Sequence, residues 1–206
     1  MSRPYRGHGP EARKAERSER LVDAGVELLG TGGVAAVTMR AVCRQAELSQ
    51  KFFYESFTDT EDLLREVYRS TMQRAIDVMD AAAVGASGQA AKTRASVDAA
   101  ARLVKEDPRV CRILFMEPVA DLRLRRFVRE TIVAMISHIV GWAAEPEGDP
   151  ADALMHYATV FGVVIALFVE WTDGTFGDDR DAFVDHVTGV LHASPLSPPM
   201  PRSGSA

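Results

Sequence analysis

Apolar residues recur along this chain at three- and four-residue intervals and do not alternate over any long stretch, so the pattern predicts helices throughout. The first is predicted from about Glu11 to Leu29, with Leu21, Ala24, Gly25, Leu28 and Leu29 on one stripe and Gly32 with Gly33 as its stop. Two short helices follow, about Met39 to Ala46 and Gln50 to Ser56. A longer one runs from Thr60 to about Ala83, where Gly85, Ala86, Ser87 and Gly88 break it. Further helices are predicted near Ala91 to Glu106, Pro108 to Phe115, Asp121 to Ala144, Pro150 to Thr172 and Asp178 to Ala193. Asp107-Pro108, Glu117-Pro118, Glu145-Pro146, Asp149-Pro150 and Asp173-Gly174 punctuate them. The expected fold class is all-α.

The two short helices carry matching start signals. Thr38 reads as an N-cap, with Val37 before it and Val42 at the fourth helical position as the ends of a hydrophobic staple. Ser49 repeats the arrangement with Leu48 and Phe53. Two capped helices joined by a turn at Glu47-Leu48 form a helix-turn-helix, whose second helix can enter the DNA major groove with its N-terminal residues at base edges. The run Phe52, Phe53, Tyr54 then divides by face. Phe53, with Phe57 a turn later, faces the core. Gln50, Lys51 and Phe52 lie at the helix start, where amide, ammonium and ring reach bases or a thymine methyl. Tyr54, Ser49, Thr38 and Arg40 are the candidates for phosphate and further DNA contacts.

Residues 37–64, VTMRAVCRQAELSQKFFYESFTDTEDLL, closely resemble the DNA-binding region of the tetracycline-repressor (TetR) family of bacterial transcriptional regulators. Thr38, the small apolar pattern through Val42 and Ala46, Leu48-Ser49, Phe53-Tyr54, Phe57, and Glu61 with Leu63-Leu64 carry the resemblance, which extends from about Ala12 to Leu64. It implies an N-terminal three-helix helix-turn-helix domain and a C-terminal helical bundle that dimerises and binds a small molecule. The expected organisation is a disordered arm over 1–10, a DNA-binding domain over 11–59, a ligand-binding and dimerisation domain over 60–193, and a disordered tail over 194–206. Two positions depart from the family pattern. Glu47 stands where glycine is usual, and a side chain in a left-handed turn costs about 1 kcal/mol or more. Thr60 stands where a lysine often meets the DNA backbone, so that contact is not carried over; Thr58 with Glu61, or Asp59, caps the fourth helix instead.

Beyond Leu64 only helical faces can be read. The helix from Pro150 is apolar nearly all round. Leu154, Tyr157, Phe161, Ile165, Phe168 and Thr172 line one side; Met155, Thr159, Gly162, Ala166 and Val169 line the other. A helix with no wet face is buried twice, so Gly162, Ala166 and Val169 are expected to meet a second subunit. The family resemblance implies that Phe183, Val187 and Leu191 of the last helix complete this as a four-helix interface. Thr131, Met135, His138 and Trp142 form a stripe mixing bulk with hydrogen-bonding groups, the composition of a ligand pocket. Phe115, Met116, Tyr157, Phe161 and Trp171 are further candidates for it.

Composition narrows the remaining choices. A chain of 206 residues, 47% hydrophobic and 26% charged, can bury a substantial core. The net charge of −5 argues against a general nucleic-acid coat. Locally, however, Arg3, Arg6, Arg13, Lys14, Arg17 and Arg20 outnumber Glu11, Glu16 and Glu19. No leader is expected in MSRPYRGHGP, and the apolar run from Ala158 to Val169 is too short for a membrane span. Cys43 and Cys111 are expected to be reduced, buried residues. No phosphate loop, di-iron pair, His-Glu-x-x-His or nucleophile elbow is present, and Asp152 with His156, or Asp181 with Asp185 and His186, have the spacing of ordinary charged helix faces. The expectation is a non-enzymatic, cofactor-free, metal-free homodimer in a bacterial cytoplasm, associated with the nucleoid. It binds a double-stranded operator and a small-molecule effector and acts as a repressor. An activator of the same fold, and a small-molecule carrier or interaction module with a vestigial DNA domain, are the alternatives.

Overall fold

The computed structural model describes residues 9–140 and 150–193. α1 (Pro10–Gly32) begins with proline in its first turn, where the missing N–H belongs to a helix start and costs nothing. Gly33 ends it at φ 72°, a conformation that a side chain resists, and donates its N–H to the Leu29 carbonyl at 3.0 Å. A 3-10 turn (Val34–Ala36) leads into α2 (Met39–Gln45), α3 (Gln50–Ser56) and α4 (Thr60–Ala83). α5 (Gln89–Glu106), α6 (Pro108–Cys111), a π turn (Arg112–Met116), α7 (Glu117–Ala120), α8 (Leu122–Val140), α9 (Pro150–Thr172) and α10 (Arg180–Ala193) complete the chain. Among the described residues there is no strand, as the periodicity predicts.

One expected break is absent. Glu117-Pro118 reads as a stop, yet α6 runs through the π turn into α7 with Pro118 in its first turn. Proline cannot donate to the carbonyl four residues back and its ring crowds it. Here the Glu117 N–H reaches Arg112, five residues back, so the winding has already loosened where proline enters.

α4 is shared by two parts of the core. Leu63, Leu64 and Val67 are fully buried in one cluster with Leu21, Leu29, Val42 and Phe53, fixing α1, α2 and α3 around its first turns. Each such side chain contributes roughly 1.5–3 kcal/mol on burial. Further along, Tyr68, Met72, Ala75 and Met79 pack α4 against the C-terminal helices. There the core is an aromatic column: Phe115 meets Phe161 and Phe168 at 6.3 and 5.8 Å, Phe168 meets Phe183 edge-on at 5.3 Å, and Phe183 stacks on Trp171 at 4.5 Å. α8 lies alongside α4 and runs the same way. Arg123 feels the charge of Glu61, the Arg65 guanidinium covers the Phe127 ring at 4.9 Å, and Tyr68 adjoins Thr131.

The end of α1 is gripped by the α6–α7 segment. Arg109 forks onto Asp107 at 2.7 and 3.0 Å and reaches Glu27 of α1 at 2.6 Å, while Arg74 of α4 meets the same Asp107 at 2.8 Å. Beside it, Glu117 accepts the Val34 N–H at 3.0 Å and an Arg112 hydrogen bond at 2.9 Å, and Arg112 donates to the Thr31 carbonyl at 2.8 Å. Gly30 permits this approach: a Cβ there would lie 2.4 Å from that of Arg109.

The Arg109 and Arg74 guanidiniums hold the buried Asp107 carboxyl at a pKa of about 2, down from 3.8, against the opposing effect of burial. A depressed folded-state pKa contributes stability that is complete above the unfolded value and disappears as pH falls through the folded one. Asp107→Asn is therefore expected to cost roughly 2 kcal/mol at neutral pH. It should also flatten the loss of stability between about pH 4 and pH 2, read from urea melts across that range.

Candidate nucleic-acid interface

The interface is built upward from the first cap. Thr38 is extended at φ −112°, ψ 150°, and its hydroxyl accepts the Ala41 N–H at 3.2 Å. Val37 and Val42, the expected staple, are both buried in the cluster beneath. α2 ends on Ala46. Glu47 donates to the Arg44 carbonyl at 3.2 Å and Leu48 to that of Cys43 at 2.9 Å, the paired bonds of a Schellman turn. Glu47 occupies its left-handed position at φ 53°, so the turn forms without a glycine and carries the strain of a side chain there. Arg20 of α1 donates to the Ala46 carbonyl at 2.6 Å, satisfying a group at the helix end that would otherwise need water.

Ser49 takes the N-cap position of α3, but its hydroxyl makes no capping bond. The Phe52 N–H reaches its backbone carbonyl instead, at 3.0 Å. The repeat of the Thr38 arrangement is thus positional and not chemical, and the exposed hydroxyl remains on the outer side with Gln50 and Lys51. Phe53 is fully buried and Phe57 nearly so, their rings 5.9 Å apart, as their faces predict. Tyr54 is 61% exposed and leans edge-on against Phe53 at 5.6 Å, leaving its hydroxyl outside. Phe52 is not free: it is half-buried beneath the Arg17 guanidinium, 4.4 Å from the ring centre. Glu55, one turn on, pairs with Arg17 at 3.4 Å and with Lys51 at 3.9 Å. Arg40 and Arg44 are exposed on α2 and make no ion pair among the described residues. After α3, Asp59 accepts the Asp62 N–H at 2.9 Å and Asp62 accepts the Thr58 N–H at 3.1 Å, so aspartates close the start of α4, with Thr60 as its first residue.

The sequence marks Arg17 and Arg20 only as members of a local basic patch. The structure turns both, one helical turn apart, onto α2 and α3. The available signal was their spacing beside buried Leu21 and Ala24, which puts them on the flank of the packed stripe.

The C-terminal expectations divide. Gly162 and Ala166 lie exposed on the outer side of α9, with Met155 62% and Val163 38% exposed and Val169 half-buried. Phe183, Val187 and Leu191 do not join them. They are buried in the protomer's own core, because α10 turns that stripe toward α5 and α9 and leaves Asp185, His186 and Gly189 outside. Trp171, expected near a ligand, is closed in by Phe183 on one face and the Lys105 ammonium at 4.5 Å, and is 2% exposed. Phe161 is buried and Phe115 half-buried in the same column; Tyr157 is buried elsewhere on α9 and Met116 is exposed. Thr131 is half-buried on α8, donating to the Phe127 carbonyl at 2.9 Å. The side chains of Met135 and His138, and Trp142 altogether, lie outside the described residues.

Residues 21–67, from the buried half of α1 to the first turns of α4, match the model of the bacterial regulatory proteins of the tetR family. The N-terminal region is thus similar to the tetR-family DNA-binding domain. The tetR fold also extends over nearly the whole chain. The fatty acid degradation regulator FadR from Bacillus halodurans superimposes with a TM-score of 0.66 at 17% identity, over 93% of this chain and all (100%) of its own. FadR from Bacillus subtilis, solved in complex with stearoyl-CoA, gives 0.62 at 17% identity over 85% of this chain and 98% of its own. A TetR-family transcriptional regulator from Streptomyces coelicolor gives 0.61 at 18% identity over 86% and 96%. A search of curated proteins by sequence finds no match.

Within the matched region the strain at Glu47 is the local departure with a measurable cost. Glu47→Gly is expected to raise stability by about 0.5–1 kcal/mol, the relief of the left-handed side chain less the freedom glycine gains when unfolded. Thermal melting should shift upward by about 2 °C. A lowered melting temperature would show that the Glu47 side chain contributes more than its backbone costs.

Proposed function

We propose that the chain is a ligand-responsive homodimeric transcriptional regulator, a repressor in preference to an activator, that binds a palindromic double-stranded operator in the cytoplasm. The observation that carries this reading is the division of labour on α3. Phe53 anchors the helix in the core while Gln50, Lys51 and Tyr54 stand exposed along its first turns, the residues a major-groove helix offers to DNA. The intact Schellman turn and the aspartate cap of α4 argue against a vestigial domain.

Dimerisation is supported by the outer face of α9, where Met155, Gly162, Val163 and Ala166 leave an apolar surface with small residues that allow close approach. Two recognition helices of a dimer must sit about 34–36 Å apart to enter successive major grooves. An effector that moves α8 also bears on α4, which lies beside it and leads directly from the recognition helix. The first effector class to screen is an apolar chain with a polar head, given the aromatic column here and the stearoyl-CoA in the Bacillus subtilis FadR structure.

The operator comes from selecting bound sequences out of random duplexes and locating the best one upstream of the chain's own gene. On that duplex Lys51→Ala should weaken binding with an unchanged melting temperature. The slope of log affinity against log salt should become shallower by about one if the lysine meets phosphate. Equal affinity of wild type and Lys51→Ala would remove α3 from the interface.

The dimer has a separate test. Ala166 is exposed on the protomer, so Ala166→Glu leaves the fold intact, yet a two-fold interface would have to desolvate the new carboxylate in both subunits. The variant should sediment as a 22.5 kDa monomer and lose operator binding. A wild type that already sediments as a monomer at micromolar concentration would return this face to solvent.

A further inference from the structure

The basic side of α1 invites assignment to DNA phosphates, but two of its arginines are already engaged. Arg17 lays its guanidinium over Phe52 at 4.4 Å and directs one edge to Glu55 at 3.4 Å. Arg20 donates to the Ala46 carbonyl at 2.6 Å. One arginine thus holds the turn and the other the recognition helix. α1 and α3 also face each other across an open cleft of about 280 Å³ lined by Glu11, Lys14, Ser18, Glu55 and Ser56. Beside that cleft, Arg17 connects the two helices through Phe52 and Glu55. From its DNA-binding reading we infer that Arg17 is a positioning residue, setting the angle at which α3 presents Gln50, Lys51 and Tyr54, and is not itself a phosphate contact.

The chemistry favours arginine for this task. A planar guanidinium can stack on a ring and form a hydrogen bond along its edge at the same time, which a lysine ammonium cannot. The charge of Arg17 is balanced by Glu55, so a phosphate would have to displace an existing partner to reach it. Lys51 is in the opposite position. Its side chain is 80% exposed and touches Glu55 only at 3.9 Å, so with Arg17 holding that carboxylate the lysine is free to turn to the DNA backbone. Glu55 is the carboxylate both cations share, and Arg17 keeps it attached to α1.

The test compares full-length wild type, Arg17→Lys and Arg17→Ala on the selected operator and on an unrelated duplex, by fluorescence anisotropy over a salt series. Arg17→Lys keeps the charge and loses the stack. It should weaken operator binding about three- to tenfold, leave the unrelated duplex unaffected and leave the salt slope unchanged. A phosphate contact predicts the opposite: Arg17→Lys binds as wild type, while Arg17→Ala weakens both duplexes alike and lowers the slope by about one. That result would overturn the assignment. Wild type with no preference among duplexes would instead bring down the regulator reading on which it rests. If Arg17→Ala melts early, a cycle of Arg17→Lys with Phe52→Leu decides. Coupling through the ring makes the double variant bind no worse than Phe52→Leu alone, and simple addition of the two losses overturns the proposal.

Discussion

The Asp107 carboxylate is the point at which the helices flanking the helix-turn-helix are tied to the rest of the molecule. It sits at the start of α6, takes a fork from Arg109 and a hydrogen bond from Arg74 of α4, and through Arg109 is connected to Glu27 on α1. Both helices that leave the helix-turn-helix are therefore referred to one buried anion. Such a group is costly to bury unless fully paired, and pairing restricts it to one arrangement of its partners. The second contact, Glu117 on the Val34 N–H, lies just beyond the π turn and holds the chain entering α2. The frame on which α3 is mounted, α1, α4 and the chain entering α2, is held by these contacts.

The π turn gains its meaning from the same junction. Arg112 and Glu117, which grip the end of α1, bracket it, and Phe115 from its middle packs on Phe161 and Phe168 of α9. One short segment therefore touches the aromatic core on one side and the end of α1 on the other. A coupling between distant sites requires an element in contact with both, and this segment satisfies that physical requirement.

Helix periodicity is a local property, and for that reason the element order was legible in the sequence almost without loss. The caps at Thr38 and Asp59, the turn at Glu47 and the core role of Phe53 were legible for the same reason, because each depends on neighbours within a few residues. What failed depended on partners far away in the chain. The stripe Phe183, Val187, Leu191 announces burial, but only the placement of α5 and α9 decides that its own protomer covers it. Local sequence does not show that Phe52 is covered, because the arginine above it comes from position 17. Nor does the sequence display the five-residue bond that makes room for Pro118 inside a continuing helix.

The two cysteines, unremarkable as packing residues, divide between these regions. Cys43 lies in α2 beneath the reading helix and Cys111 at the end of α6, in contact with the Phe168 carbonyl; both are buried, and burial pushes both thiols up from their ordinary range. A thiol so placed reacts with a soluble reagent only when its surroundings open, and its modification rate then measures the free energy of that opening. The chain thus contains a native chemical clock on each side of the Asp107 junction. Their rates can be compared in one sample to tell whether the reading helices loosen on their own or only together with the body that holds them.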